Sequence, residues 1–97
     1  MGELSFSWDP GKARSNEEKH GISFEEAESV FSDENGLLLD DEEHSEREPR
    51  FLLMGLSSSL RILVVSHTLA DEDTIRIISA REATRREKRQ YSERLGK

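Results

Sequence analysis

Arginine and histidine side chains in the second half of the chain have the chemistry of an anion site. Arg61 and His67 lie at either end of one apolar run, Arg76 lies in the next run, and Arg81 follows it directly. Arginine binds phosphate oxygens through parallel donors and stays charged, and histidine titrates near neutral pH. The alternative is that each side chain only pairs with one of the many acidic residues of the chain. The residues alone therefore indicate a candidate anion site.

Convergence of these residues depends on how two neighbouring strands pair. If Leu69 pairs with Thr74, then His67 faces Arg76, and Arg61 shares their face of the sheet. A slip of one residue moves Arg76 to the face opposite His67, because side chains alternate along a strand. The length of the intervening loop leaves both registers open.

Arg81 is predicted at the start of the last helix. Ser79-x-x-Glu82 has the spacing of a capping box, so Ser79 would be the N-cap and Arg81 the second helical residue. The free N–H groups and positive end of a helix favour a phosphate, which Arg81 would share with them. A salt bridge from Arg81 to Glu82 or to an acidic loop is the alternative.

Other chemistries have less support. His44 lies in the acidic run 40–46, which lacks the glycine and spacing of a calcium loop, so we expect a solvated loop and no metal. His20 is expected to end a helix. Cysteine is absent, which excludes disulfides, thiolate nucleophiles and cysteine zinc sites. The sequence also lacks phosphate-loop, dinucleotide and serine-triad patterns, and no cofactor is predicted.

Length and charge limit the architecture. The 97 residues predict one domain spanning 1–97, and no apolar run is long enough to cross a membrane, so we expect a cytoplasmic protein. The net charge of −7 alone argues against a nucleic-acid partner. However, residues 1–50 hold 5 Lys/Arg against 15 Asp/Glu, whereas residues 51–97 hold 9 against 6. This asymmetry points to nucleic acid or an oppositely charged partner for the basic half, and the alternative is a solvated charged helix.

Alternating patterns and capping residues predict the elements. A strand is expected at 4–8, a helix at 10–20 between Asp9 and Gly21, and a second helix at 23–32.

The second half is expected to contain consecutive antiparallel hairpins and a last helix. The predicted elements are strands at 37–39, 50–56, 61–69 and 74–80 and a helix at 81–94, with an exposed acidic loop at 40–48. The order β-α-α-β-β-β-β-α predicts an α+β domain with a mostly antiparallel sheet, two N-terminal helices and one C-terminal helix.

Short segments along nearly the whole chain follow the order and spacing of a known family. They are 6–16, 19–27, Asp33, His44-Ser45, Glu48-x-Arg50-Phe51, Gly55-x-Ser57, 61–68, 75–81, 83–87 and Tyr91. In these segments the chain resembles the BrnT toxin family.

The resemblance implies a bacterial toxin of a type II toxin–antitoxin system with a RelE-like fold. Such toxins are small ribonucleases that cleave RNA to inhibit translation, and a partner antitoxin, BrnA, neutralises them. The antitoxin carries the DNA-binding part in that family. This chain is therefore expected to meet DNA only indirectly, to make no membrane contact, and to form an assembly larger than a monomer with its antitoxin.

The implied chemistry needs no metal, because the 2′-OH of RNA is the nucleophile. We expect Arg61, Arg76 and Arg81 to hold the phosphate and His67 to transfer a proton. A second set of residues is expected to help bind RNA: Lys12, His20, Arg50 and Arg85.

Two alternatives to a ribonuclease stay open. The turn 69–73 departs from the family pattern and adds acid near the expected RNA face, so one alternative is a degenerate toxin that keeps its partner. The other is a binding protein that recruits the antitoxin or acts as its corepressor, with its arginines paired to an acidic antitoxin segment.

Overall fold

The computed structural model describes residues 4–41 and 48–96. These contain β1 (Ser5–Ser7), α1 (Pro10–His20), α2 (Phe24–Ser29), a 3-10 turn (Val30–Ser32), β2 (Leu37–Asp40), β3 (Phe51–Leu56), β4 (Ile62–Asp71), β5 (Thr74–Glu82) and α3 (Arg85–Leu95). The predicted order of elements is confirmed. His44 and the middle of the predicted acidic loop lie outside the described residues. Within the described segments, no helix is both long and apolar enough to span a membrane.

The sheet is mixed, which corrects the prediction of a mostly antiparallel one. Its strand order is β1-β5-β4-β3-β2, with β1 parallel to β5 and the other pairs antiparallel. Short connections join β3 to β4 and β4 to β5, which favours antiparallel pairing. The chain leaves β1 through α1 and α2 and re-enters the sheet at the opposite edge. No local turn therefore sets the direction of β1.

Local signals position the two N-terminal helices as predicted. Asp9 accepts a hydrogen bond from the Lys12 N–H at 2.9 Å, and Gly21 ends α1 in the left-handed conformation at φ 69°. Ser23 caps α2 by accepting from the Glu26 N–H at 3.0 Å. These caps confirm the predicted starts of both helices.

The last helix begins later than predicted. Residues 79–82 belong to β5, where they pair with β4. The capping box is formed by Thr84 and Glu87 instead: the Glu87 N–H donates to Thr84 Oγ1 at 3.2 Å, and the Thr84 N–H donates to Glu87 Oε1 at 2.8 Å. Both tetrads have the required spacing, and the ladder to β4 decides between them because it satisfies the backbone of residues 79–82. Arg81 is therefore a strand residue.

The two faces of the sheet are covered to different extents. The covered face packs against α1 and α2, and its core consists of Ile22, Phe24, Ala27, Val30, Leu63, Val65, Ile77 and Ala80. On the opposite, open face, α3 packs on part of the sheet through a smaller cluster of Met54, Val64, Ala83 and Tyr91. The rest of the open face includes Ser66 and Ser79, which pair with each other on neighbouring strands and line the same depression.

Asn16 joins α1 to the sheet from inside the core. Its amide nitrogen donates to the carbonyl oxygens of Ala80 at 2.8 Å and Ile22 at 3.0 Å, and its oxygen accepts from the Ala80 N–H at 3.0 Å. Because the side chain is buried, its amide cannot bond to water, and these hydrogen bonds to the backbone satisfy it instead.

Asp33 joins β3 to α3. It accepts hydrogen bonds from the Leu56 N–H at 2.7 Å and from the Tyr91 hydroxyl. Burial, together with the bond to Asp33, raises the pKa of Tyr91 to about 12. A Cβ at Gly55 would lie 2.9 Å from Val30 Cγ1 and 3.1 Å from Asp33 Oδ2. Only glycine lets β3 approach this closely.

Candidate functional site

The register of β4 and β5 separates His67 from Arg76, which the sequence predicts to face each other in one of two registers. The turn between the strands consists of residues 72–73, and Leu69 does not pair with Thr74. Arg76 instead lies opposite the residue after His67. Directly opposed residues share a face, so Arg76 lies on the open face and His67 on the covered face.

His67 is a buried residue of the covered face. Its ring lies 4.9 Å from the ring of Phe31 and 5.9 Å from that of Phe51, and only 4% of the residue is exposed. Nδ1 lies 3.2 Å from the carbonyl oxygen of Val65. Burial lowers the pKa of His67, which favours the neutral ring. This packing keeps the imidazole away from any phosphate on the open face.

Arg61 anchors the start of β4 to α2. Its Nε and Nη2 donate to the Glu26 carboxylate at 3.0 and 2.5 Å, and Nη2 also donates to the carbonyl oxygen of Gly21 at 3.3 Å. Ser57 donates to the same carboxylate at 2.6 Å. The hydrogen bond from Arg61 lowers the pKa of Glu26 despite burial. Arg61 thus connects elements on the covered side and does not meet Arg76 and Arg81.

A β-bulge places Arg76 and Arg81 on the same face. They are five positions apart on β5, so strict alternation would put them on opposite faces. The pairing of β5 with β4 skips Ile78, and the extra residue shifts the alternation by one. Both arginines therefore lie on the open face, with Ile78 between them.

Arg81 borders a depression of about 320 Å³ on the open face. Its Nη1 and Nη2 donate to the two carboxylate oxygens of Glu87 at 2.7 and 3.0 Å. The hydrogen bond from Arg81 lowers the pKa of Glu87 to about 2, so the pair stays ionised in neutral and mildly acidic solution. Because the capping box of α3 also holds Glu87, the guanidinium has a defined orientation. The depression is lined by Asp41, Arg50, Leu52, Ser66, Ile78, Ser79 and Arg81.

Arg76 borders a second depression, of about 340 Å³, on the other side of Ile78. It is lined by Asp9, Lys12, Arg76, Ile77 and Ile78. Arg76 Nη2 donates to Glu48, and 44% and 38% of the two side chains are exposed. Ion pairs this exposed contribute only about 0–1 kcal/mol. Arg76 can therefore exchange this carboxylate for another anion.

Two of the four residues expected to assist RNA binding line one or the other depression, and two line neither. Arg50 lines the depression of Arg81, and Lys12 lines that of Arg76. His20, the last residue of α1, and Arg85, the first of α3, are exposed and belong to the lining of neither depression.

Sequence reasoning does not find the carboxylates that hold the arginines. Glu87 has a local signal, since Thr84-x-x-Glu87 has capping-box spacing. Glu26 is expected only to complete the cap at Ser23, yet its side chain turns to an arginine 35 positions away. Glu48 has no local signal, because its partner lies 28 positions away.

Comparisons with known proteins identify the family. Residues 8–87 match the family model described as the ribonuclease toxin, BrnT, of type II toxin–antitoxin systems. A search of the curated proteins gives no match. The fold is similar to the 1.1 Å crystal structure of the ribonuclease toxin BrnT from Brucella abortus, with a TM-score of 0.65, 21% identity, and coverage of 84% of this chain and 99% of that one. Since the family match spans most of the sequence, this chain belongs to the BrnT family of type II toxin–antitoxin toxins.

Proposed function

We propose that this chain is a ribonuclease that cleaves RNA on the open face of its sheet and thereby inhibits translation. The observation that carries the proposal is the guanidinium of Arg81, which Glu87 fixes at the border of a depression that also contains Arg50. A fixed cation costs little reorganisation when negative charge grows on a phosphate. The description of the family as ribonuclease toxins supports the same reaction class.

The reaction uses the 2′-OH of RNA as nucleophile. Its oxygen bonds to the adjacent phosphorus while its proton passes to a base, and the 5′-oxygen leaves with a proton from an acid. Arg81 and Arg50 stabilise the crowded phosphate oxygens in this proposal, and the hydroxyls of Ser66 and Ser79 border the same depression. Because the substrate supplies the nucleophile, the proposal requires no metal.

The other three residues predicted to be catalytic, Arg76, Arg61 and His67, lie outside the depression of Arg81. Arg76 lies on the same face as Arg81, but beside the second depression. Arg61 and His67 lie towards the covered side and support the fold in this proposal. The geometry favours Arg81 as the catalytic cation.

Membership of a type II family implies an antitoxin partner. We propose that this partner is BrnA-like and that it neutralises the chain, a single RelE-like toxin domain, in a cytoplasmic assembly larger than a monomer. Contact with DNA then occurs only through the antitoxin.

The proposal is tested by expression and by RNA cleavage. The chain expressed alone should arrest growth, and co-expression of a BrnA-like antitoxin should restore it. The purified protein should cut RNA in buffer containing EDTA. Cleavage that disappears only when EDTA is added would contradict the metal-independent reaction.

An antitoxin-binding protein without catalysis is the second candidate. It is favoured by the ion pairs that Arg76 and Arg81 already make with Glu48 and Glu87, since these carboxylates occupy donors that a phosphate would use. Folded protein that binds the antitoxin but leaves RNA uncut, with and without EDTA, would support this candidate and contradict the ribonuclease.

A further inference from the structure

Two depressions adjoin β5, and Ile78 belongs to both linings. The depression of Arg81 lies on the open face, whereas that of Arg76 lies where β5 meets the start of α1, which contributes Asp9 and Lys12. Arg76 and Arg81 are roughly 16 Å apart along the strand, because a strand rises about 3.3 Å per residue. Each arginine borders its own depression and has its own carboxylate partner. The two cations are thus placed to hold different groups of one extended ligand.

The carboxylate partners hold these arginines in different ways. Glu87 receives two donors of Arg81 and is itself fixed by the N–H of Thr84. Glu48 receives a single nitrogen of Arg76, and both side chains of that pair are more than a third exposed. Glu87 therefore orients its arginine, whereas Glu48 occupies Arg76 in a way that another anion can replace.

We propose that the depression of Lys12 and Arg76 is a second phosphate subsite, which binds a backbone phosphate farther along the same RNA strand than the cleaved one and displaces Glu48 from Arg76. This inference rests on the proposed function, which places the cleaved phosphate beside Arg81. Lys12 and Arg76 supply two cations from separate elements, α1 and β5. Ile78 between the subsites is partly exposed and offers an apolar surface to a ribose or base. Arg76 is a binding residue in this arrangement.

The arrangement predicts opposite effects for the two carboxylates. Glu48→Gln removes a competitor of the second phosphate and should tighten the binding of RNA. Glu87→Gln removes a positioning group of Arg81 and should slow cleavage while leaving binding at the second subsite unchanged.

The test uses 2′-O-methyl oligoribonucleotides of two, three and four residues, which carry one, two and three phosphates and cannot be cleaved through a 2′-OH. Their affinity for the complete chain is measured by fluorescence anisotropy over a range of salt. The wild type should gain affinity as the second and third phosphates are added, and Arg76→Ala and Lys12→Ala should each reduce that gain. In Arg76→Ala the slope of log affinity against log salt should become shallower by about 0.7, because the variant neutralises one phosphate fewer on a single strand.

Glu48→Gln should increase the gain from the added phosphates without changing the affinity of the dinucleotide. Arg14→Ala, which removes an exposed arginine of α1 outside both depressions, should match the wild type. An unchanged gain in both Arg76→Ala and Lys12→Ala would overturn the subsite. So would an equal loss of dinucleotide affinity in those variants.

Cleavage of unmodified RNA, measured in parallel, distinguishes this inference from the proposed function. A wild type that cuts RNA but gains no affinity from the second and third phosphates contradicts the subsite alone. A wild type that shows the gain but cuts no RNA contradicts the ribonuclease alone and supports the subsite. Neither gain nor cleavage would overturn both.

Discussion

Arg61 and Arg81 are similarly exposed, with 36% and 40% of their side-chain surface accessible, yet they serve different faces of the sheet. Arg61 binds a carboxylate and a carbonyl of the helical layer, so its donors close a contact between two elements. Arg81 binds Glu87 close by in the chain and borders an open depression. Exposure and charge are therefore similar for the two arginines, and the groups that surround each guanidinium distinguish them.

The histidine and asparagine of the covered face follow the pattern of Arg61. His67 is packed between aromatic rings, and both polar ends of the Asn16 amide bond the backbone. The open face keeps its serines and arginines beside depressions. Polar groups on one face thus hold the fold together, and those on the other can meet a ligand.

The largest effect is expected for Arg81→Ala, which tests whether the open face acts on RNA. Loss of one aimed charged donor should lower the rate of RNA cleavage by about 10²–10³, or ~2.7–4 kcal/mol. The free energy of unfolding should change by less than about 1 kcal/mol, because the ion pair is partly exposed. Cleavage kinetics and thermal melts measure both quantities, with Arg14→Ala as control. A variant that melts and cuts like the wild type would remove Arg81 from the site.

Asn16→Ala should show the reverse pattern. It leaves buried N–H and C=O groups of β5 without partners, which should lower the free energy of unfolding by about 3 kcal/mol. Cleavage per folded molecule should not change. Urea denaturation measures the loss, and Asn35→Ala, at an exposed turn position, is the matched control. Equal stability of the two variants would contradict a structural role for Asn16.

Glu26→Ala tests whether Arg61 is structural. The change takes the charged acceptor from Arg61 and Ser57, and should lower the free energy of unfolding by about 2 kcal/mol. Arg61→Ala should act in the same direction and leave cleavage per folded molecule intact. Glu25→Ala, an exposed neighbour on α2, is the control. Normal melting of Arg61→Ala combined with abolished cleavage would return Arg61 to the catalytic residues.

The smallest expected effect is the pH dependence of stability due to His67. Burial lowers its pKa below the ordinary 6.5, so the unfolded chain takes up a proton more readily than the folded one. The contribution to stability is complete above pH 6.5 and declines as the pH falls below it. His67→Leu should reduce the change in the urea midpoint between neutral and mildly acidic pH. Identical curves for wild type and His67→Leu would contradict this account.

Some residues that carry the family resemblance prove to be architectural. Asp33, Gly55 and Tyr91 form a contact between β3 and α3, and Arg61 joins β4 to α2. These residues identify the family correctly, but their place in a motif does not show whether they contact the substrate or stabilise the fold.

Much of the fold is predictable from short stretches of sequence. The caps at Asp9, Gly21 and Ser23 act within one helical turn, so their types and spacing suffice. Runs of apolar, β-branched and aromatic residues identify β3, β4 and β5 in the same way. The start of α3 is the exception, because two tetrads have capping-box spacing and pairing with β4 selects the second.

The candidate site is predictable as a set of residues but not as an arrangement. A strand register and a bulge decide which face each side chain occupies, and one residue of shift reverses all side chains beyond it. The bulge at Ile78 places Arg76 and Arg81 on the same face of the sheet, and the register places His67 on the opposite face. The free energy that selects this pairing comes from contacts between residues distant in the chain, such as Asn16 with Ala80, 64 positions apart. Local patterns carry no information about such contacts, so residue types can be read from the sequence while their convergence requires the folded chain.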